Sequence, residues 1–351
     1  MSALAVTKLN KAIMVLNSGS SSIKFALYTH SKIKPVLILS GKISNIGSKP
    51  TVYISDAEGN EIDSHKAYDF SERDRHERLL EWLLSWLDSH HEAYQIGAVG
   101  HRVVHGGQFF TSAVKVNDQV IKKLRSFIEL APLHQPHNLA AIESLSRVFP
   151  SLPQVACFDT AFHNTQSRLA TLFAIPRVLT EHGVIRYGFH GLSYDYIASV
   201  LPNYLPDNLA NGRVIVAHLG NGASMCAMHA RKSVATSMGF TALDGLMMGQ
   251  RCGSLDAGVV LYLLQSGQMD LEQVQNMLYR ESGLLGVSGL SNNMLVLQKS
   301  DSPRAKEAID LFCYRAACEL ASLVTSLQGL DAIVFTAGIG EHSALVRERI
   351  C

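Results

Sequence analysis

Residues 13–28 read IMVLNSGSSSIKFALY. The apolar run from Ile13 to Leu16 has the make-up of a buried strand. Asn17-Ser18-Gly19-Ser20-Ser21-Ser22 is turn chemistry, and Ile23 to Tyr28 reads as a second strand. A hairpin of this kind gathers backbone N–H groups, hydroxyls and the ammonium of Lys24 at one tip. Such a cluster suits phosphate oxygens, and glycine lets the backbone come close to them. An ordinary polar hairpin loop fits the same residues.

Working outward, residues 36–43 and 51–55 read as further strands, a mainly antiparallel start. HERLLEWLLSWLDSH, residues 76–90, is apolar on most faces and predicts a largely buried helix. Residues 96–104 read as a strand that runs into His105-Gly106-Gly107. Val120, Ile121, Leu124, Phe127 and Ile128 recur at helical spacing and predict a helix over 118–130. Residues 155–158 read as a short strand with Asp159 at its C-terminal end.

VIVAHLGNGASMCAM, residues 214–228, repeats the opening plan of strand, Gly/Asn/Ser turn and strand, with Gly222 standing where Gly19 stands in the first hairpin. The repeat predicts two domains of related design, 1–160 and 161–351, each starting with a phosphate-facing hairpin. Two such domains facing each other would form a cleft suited to a ligand. Pro303, after Asp301-Ser302, predicts the start of a long helix that runs to Gln328 and stops at Gly329. Residues 331–336 read as a strand, followed by the turn Ala337-Gly338-Ile339-Gly340-Glu341 and a helix to Ile350. Strand, glycine turn and helix is a nucleotide-binding arrangement.

The bulk properties narrow the class. At 351 residues the chain is long enough for two domains. Hydrophobic residues at 47% against 17% charged argue for a well-packed protein, not a disordered one. A formal net charge of +1, without long like-charge runs, gives no reason to expect nucleic acid or an anionic membrane as partner. No stretch approaches the ~20 apolar residues of a membrane span, and the N-terminus lacks a signal-peptide pattern. Six cysteines without a CxxC pair read as reduced thiols. The expectation is a soluble, cytoplasmic protein.

Several residues are suited to chemistry. Asp159 reads either as a ligand for Mg²⁺, a hard cation that favours carboxylates, or as the N-cap of the following segment. Arg102 and Arg251 sit in glycine-flanked segments. Each reads either as a neutraliser of a transferring phosphoryl group or as a structural ion pair. His101 with His105, and His134 with His137, have spacings open to zinc, without nearby cysteines or a clear third ligand. His134 and His190 read equally as hydrogen-bond donors to phosphate or carboxylate. A kinase that phosphorylates an alcohol needs a base to take its proton. An aliphatic carboxylic acid, with a pKa near ~4.3, is already ionised at neutral pH and needs none.

Taken in order, the blocks LNSGSSSIKF (16–25), GHRVVHGG (100–107), LAPLHQPHN (130–138), FDTAFH (158–163), YGFHG (187–191), AHLGNGAS (217–224), TSMGFTALDGLMMGQR (236–251), ESGLLGVSGLS (281–291) and FTAGIGE (335–341) resemble the acetate kinase family, which includes propionate kinases. The resemblance spans nearly the whole chain. It implies an α/β, two-domain duplicated actin-like ATPase (ribonuclease H-like) fold with the active site in the interdomain cleft. The implied reaction is reversible transfer of the ATP γ-phosphoryl group to a short-chain carboxylate, giving acyl phosphate and ADP. It further implies Mg²⁺, with Mn²⁺ as a substitute, and a homodimer.

Carried over by position, the resemblance has Asn17 help place the metal, Lys24 contact nucleotide phosphate and Arg102 hold the carboxylate. Asp159 is the essential acid, as metal anchor or acid/base. His190 and Arg251 stabilise the transition state, with His134 assisting. His218, Leu219, Gly220, Asn221 and Gly222, with Gly338, Ile339, Gly340 and Glu341, line the nucleotide site. Val104, Leu133, Phe189 and Ala242 shape the acyl pocket. Arg102 and Arg251, from separate halves, are expected to neutralise the phosphoryl group between them.

Departures are visible. Ala242 stands where the family usually has proline, a smaller side chain that favours admitting propionate. Asn293 and Leu295 replace an aspartate and an arginine near the adenosine site. Leu192 and Tyr194 replace threonine and histidine, and Gln250 and Cys252 replace threonine and serine. The family's usual last segment, with another metal-site glutamate and a helix returning to the first domain, does not follow Cys351. The expectation is a shortened form of low stability or low activity, read alternatively as a nucleotide-binding module of the same fold.

Overall fold

The computed structural model describes residues 10–19, 21–31, 34–63, 76–90, 94–132 and 134–351. The chain divides into two compact units, Met1–Asp159 and Thr160–Cys351.

The first unit is built on one sheet. Its strands are β1 (Asn10–Ser18), β2 (Ser22–Thr29), β3 (Leu37–Ser44), β4 (Thr51–Asp56), β5 (Glu61–Asp63), β6 (Tyr94–Val103), β7 (Val114–Lys115) and β8 (Gln154–Phe158). Their order is β5-β4-β3-β2-β1-β6-β8-β7. β1 and β2 form the antiparallel hairpin read from the sequence, with Leu16 opposite Phe25 and Asn17 opposite Lys24. The strands run further toward the tip than expected, so Ser18 and Ser22 belong to strand and the turn is short. β6 then joins β1, and β8 joins β6, both in parallel.

Side chains alternate across a strand, and this sorts the sheet. Met14, Leu16, Ile23, Phe25, Leu39 and Ile43 point to a core that also holds Leu79, Leu80, Leu83 and Leu87 of the helix His76–His90 and Ala141 and Leu145 of the helix Gln135–Val148. The opposite face presents Asn17, Lys24, Lys42 and Tyr53, which stand in register across four strands. The helix expected over 118–130 is shorter. It covers Asp118–Arg125, capped by Asn117 at its start and closed at Ser126, and a separate turn Ile128–Leu130 follows. The apolar spacing persists because Val120 and Leu124 of the helix, and Phe127 in the link between the two pieces, are buried.

The second unit repeats the plan. Its strands are β9 (Arg213–Leu219), β10 (Ala223–His229), β11 (Lys232–Thr236) and β12 (Ala332–Thr336), in the order β11-β10-β9-β12. β9 and β10 pair antiparallel as a hairpin, and β12 joins β9 in parallel. The order β3-β2-β1-β6 of the first unit is therefore reproduced strand for strand. Val214, Val216, Cys226 and Met228 pack against Tyr194, Ala198 and Leu201. The alternate residues Ile215, Ala217, Met225 and Ala227 are also fully buried, and the helix Pro303–Leu327 packs against β9, β10 and β11. Burial on both faces explains why β9 and β10 read as unbroken apolar runs. The long helix starts at Pro303 and ends at Leu327, with Gln328 in the left-handed region, φ 57°. The segment after β12 is two helices, Ala337–His342 and Ala344–Ile350, because Ser343 caps the second through its hydroxyl. Among the described residues, no helix is long and apolar enough to cross a membrane.

Candidate active site

In the first unit, the alternation that sends His101 into the core turns Arg102 to the polar face of the sheet. Arg102 lies on β6 one residue beyond the β1 register, so it emerges beside Asn17. Asp159 continues β8 directly after Phe158, which pairs with Val103. The three meet. Arg102 Nε donates to Asp159 Oδ1 at 3.0 Å and Nη2 to Oδ2 at 2.6 Å, while Nη1 reaches Asn17 Oδ1 at 3.4 Å. The Asp159 side chain is 2% exposed and that of Arg102 is 32% exposed. The adjacent carboxylate holds the guanidinium more firmly protonated than usual. The N-cap reading of Asp159 is thereby corrected, since its carboxylate is committed to Arg102 and Thr160 precedes the next helical turn. The structural-pair reading of Arg102 holds here, and its fork is not open to a second carboxylate on the Nε/Nη2 side.

Lys24 stands opposite Asn17 with an exposed side chain. The hairpin tip is tied down by Asn138, a residue the sequence reading gave no role. Its Nδ2 donates to Ser18 O at 2.7 Å, and its Oδ1 accepts from Val104 N–H at 3.0 Å. One buried amide thus couples the tip to the residue two places after Arg102. His76 adds a second tie through Nε2 to Gly19 O, 2.6 Å, and stacks on His137. His134 is the half-buried residue before the helix Gln135–Val148 and makes no side-chain cap bond. Leu133 lies outside the described residues. Val104 is 7% exposed.

His101 and His105 are interior histidines. His101 Nε2 bonds to Gln154 Oε1 at 2.7 Å, and His105 Nδ1 accepts from Gly107 N–H at 2.9 Å. Burial pushes the pKa of each down to about 4. Among the described residues, no group of three His, Cys, Asp or Glu side chains is placed to hold a metal. Asn17 and Asp159 offer oxygen donors alone, the chemistry that fits a magnesium ion completed by phosphates and water.

In the second unit, the predicted residues converge on the β9–β10 turn. A Cβ built on Gly222 would sit 3.4 Å from His190 Nε2 and 3.7 Å from Arg251 Nη1. One built on Gly220 would lie 3.9 Å from His218 Nε2 and 3.6 Å from Ala337. The glycines therefore leave room where two histidines and an arginine gather. His190 has φ 58°, a left-handed conformation that few non-glycine residues adopt. Gly188, also at positive φ, is required just before it because a side chain would strike the His163 ring. The His190 and His218 rings stack with centroids 4.3 Å apart.

Arg251 sits in a loop held from several sides. Its Nη1 donates to Ala242 O at 3.0 Å. Gly249 N–H donates to Asn221 O at 3.0 Å, which fastens this loop to the hairpin turn. Arg186 pairs with Asp244 at 3.0 Å and also donates to Ser237 O. Ser224 Oγ lies 2.8 Å from His190 Nδ1 and also bonds the Tyr194 hydroxyl. Ser193 Oγ lies 2.9 Å from His218 Nδ1. Neither Ser224 nor Tyr194 stood out as functional. Ser224 lay unassigned inside a quoted block, and Tyr194 read only as a departure.

Other predicted residues are less open. Leu219 is fully buried, so its side chain belongs to the core. The Glu341 carboxylate folds back to accept from Ala337 N–H at 3.1 Å and Thr336 Oγ1 at 3.3 Å. Gly338 is exposed, Ile339 half-buried and Gly340 buried. Phe189 is 2% exposed, and its carbonyl accepts from His163 Nε2 at 3.0 Å. Asn293 caps the helix Met294–Gln298 through Leu295 N–H, and Leu295 is 58% exposed.

Two units with one strand plan, each opening on a hairpin whose tip carries polar residues, define an actin-like ATPase fold. The comparisons agree. The model of the acetokinase family matches residues 12–351. An acetate kinase of Rhodopseudomonas palustris is 54% identical over 348 residues, covering 98% of this chain and 86% of that protein. Among solved structures, a propionate kinase from Francisella tularensis superposes with a TM-score of 0.88 at 39% identity, covering 97% of this chain and 87% of the other. An acetate kinase of Porphyromonas gingivalis gives 0.85 at 33% identity, covering 97% and 86%. The chain belongs to the acetokinase family.

Proposed function

We propose that this protein transfers the γ-phosphoryl group of ATP, reversibly, to a short-chain carboxylate, acetate or propionate, forming acyl phosphate and ADP. The observation that carries the reading is the gathering of His190 Nε2 and Arg251 Nη1 over Gly222 at the tip of a hairpin. An in-line transfer through a loose transition state spreads charge over three equatorial oxygens. Preorganised donors aimed at that charge lower the barrier without a general base, because the acceptor is already an anion.

In this reading Arg251, His190 and, behind it, His218 supply the donors in the second unit. The backbone of residues 218–222 and 338–341 cradles the nucleotide. In the first unit, Lys24 contacts phosphate, and Arg102 and His134 serve the carboxylate. For the acyl chain, the candidate side chains are Val104 and Leu133 of the first unit and Phe189 and Ala242 of the second. Asp159 and Asn17 hold a magnesium ion, which when bound neutralises charge on the nucleotide phosphates. Arg102 keeps Asp159 oriented through their two-pronged contact.

The relatives matched over 98% of this chain are named kinases, which does not favour a nucleotide-binding module without transferase activity. We further read the protein as a cytoplasmic homodimer. The helix Ala257–Gln265, AGVVLYLLQ, buries none of its residues, and Leu261 and Tyr262 are 55% and 60% exposed. An apolar face of this size suits a second copy. Sedimentation of the wild type and of Leu261→Lys tests that assignment.

The decisive assay traps acyl phosphate with hydroxylamine in the presence of ATP, Mg²⁺ and acetate or propionate. Hydroxamate formation supports the kinase. ATP binding without hydroxamate supports the module, and phosphorylation of a sugar alone would place the chain with the alcohol kinases.

A further inference from the structure

Resting on the kinase reading, we propose that Ser224 and Tyr194 are positioning residues that fix His190 in one tautomer, with its proton on Nε2 and that N–H directed over Gly222 beside Arg251. The chain of contacts runs from the interior outward. Tyr194 is fully buried on the helix Gly191–Val200. Its hydroxyl bonds Ser224 Oγ, and Ser224 Oγ lies 2.8 Å from His190 Nδ1.

The direction of these bonds follows from the chemistry of the three groups. A serine hydroxyl has one proton to donate, and it faces an imidazole nitrogen and a phenol oxygen. The imidazole nitrogen is the stronger acceptor and the phenol the stronger acid. Tyr194 therefore donates to Ser224, and Ser224 donates to Nδ1. Burial holds the Tyr194 hydroxyl protonated, with its pKa well above the ordinary value. A nitrogen that accepts cannot carry the proton, so the ring proton of neutral His190 is on Nε2.

Three further observations agree. Nε2 and Cε1 are the ring atoms of His190 nearest to Gly222, at 3.4 and 3.6 Å from a Cβ built there. His218 has the same arrangement, with Ser193 Oγ 2.9 Å from its Nδ1. The two rings stack at 4.3 Å, a separation at which two imidazolium charges oppose each other. The outcome is a neutral, preoriented donor for a phosphoryl oxygen. No proton needs to be taken up or moved during transfer.

The test separates this inference from the kinase reading itself. Long-range ¹H–¹⁵N spectra of the full chain labelled in histidine, with His190 assigned by loss of its signals in His190→Gln, should show a pyridine-type Nδ1 and a pyrrole-type Nε2 at neutral pH. In Ser224→Ala that pattern should give way to mixed tautomers. Its kcat should fall by about 10- to 100-fold with KM for ATP changed less than about threefold, the signature of lost transition-state contact. Tyr194→Phe keeps the ring and should cost about three- to tenfold in kcat, since Ser224 can still donate. A pyrrole-type Nδ1 or an imidazolium pattern in the wild type overturns the proposal, whatever the activity. So does an unchanged kcat in Ser224→Ala. If Ser224→Ala does not fold, the wild-type spectrum and Tyr194→Phe decide. Absence of hydroxamate from the wild type would reject the kinase reading and leave the tautomer result standing.

Discussion

Arg102 and Asp159 lie side by side at the ends of neighbouring parallel strands, with Nη2 of one 2.6 Å from Oδ2 of the other and Nε 3.0 Å from Oδ1. The carboxylate is 2% exposed, so the fork supplies its compensating charge. Asp159→Asn removes that charge and leaves the guanidinium facing a neutral amide. We expect hydroxamate formation to drop at least about 100-fold. Urea denaturation should show a loss of about 2–3 kcal/mol, below the ~3–5 kcal/mol of a fully buried pair because the arginine is partly wet. Unchanged activity in a folded variant would remove Asp159 from the mechanism.

Arg251→Ala should lower kcat by about 10³-fold while nucleotide affinity, read by titration calorimetry, stays within a few-fold. Arg251→Lys should recover little, because a single ammonium cannot bond Ala242 O and still present a planar fork. Recovery to wild-type turnover by lysine would mean the group acts only as a point charge.

Gly222→Ala tests the space left beneath the donors. The backbone there is ordinary, so the added methyl meets only His190 Nε2 at 3.4 Å and its neighbours. The expected result is a melting temperature within a few degrees of wild type and a turnover about tenfold lower. Full turnover would show that the reacting phosphoryl passes elsewhere.

His101 and His105 set an acid limit for the first unit. Each has a folded pKa of about 4, below the ordinary value of 6.5, because burial disfavours the charged form. A base depressed on folding contributes its full stability above pH 6.5. That stability is lost as pH falls from 6.5 toward 4, since the unfolded chain then binds protons the folded one does not. The loss by pH 4 is on the order of 3 kcal/mol for each histidine. Both tryptophans of the chain, Trp82 and Trp86, lie on the helix His76–His90, so fluorescence reports this unit. Urea midpoints should fall across that window, and less steeply in His101→Gln. A flat profile would show that neither histidine is held neutral.

Asn138→Ala cuts the tie between the hairpin tip and the chain after Arg102. It leaves Val104 N–H and Ser18 O without their partner, a cost of about 1–3 kcal/mol. If the tie positions the tip, KM for ATP should rise with it, and Asn138→Asp should restore only the acceptor half. A loss of stability with unaltered kinetics would make Asn138 purely structural.

Much of this protein was written locally. Strand, glycine turn and strand recur at residues 13–28 and 214–228, and alternation within them predicted both hairpins and their antiparallel pairing. Pro303 and Gly329 marked the long helix because proline and glycine act on their own backbone. Where the reading slipped, a cap intervened. Ser126 closes one helix, and Ser343 splits another, although the apolar spacing runs on.

The sequence by itself determined the repeated strand plan, the residue types at each turn and, through its ordered blocks, the family. Turn chemistry and strand period depend on residues a few places apart. Only the tertiary structure decided what those residues do to one another. Arg102 and Asp159 are 57 positions apart, His190 and Ser224 are 34, and Ser18 and Asn138 are 120. No local pattern encodes such pairs. They arise when parallel strands and covering helices bring distant segments into register, and burial then obliges each polar group to find its partner.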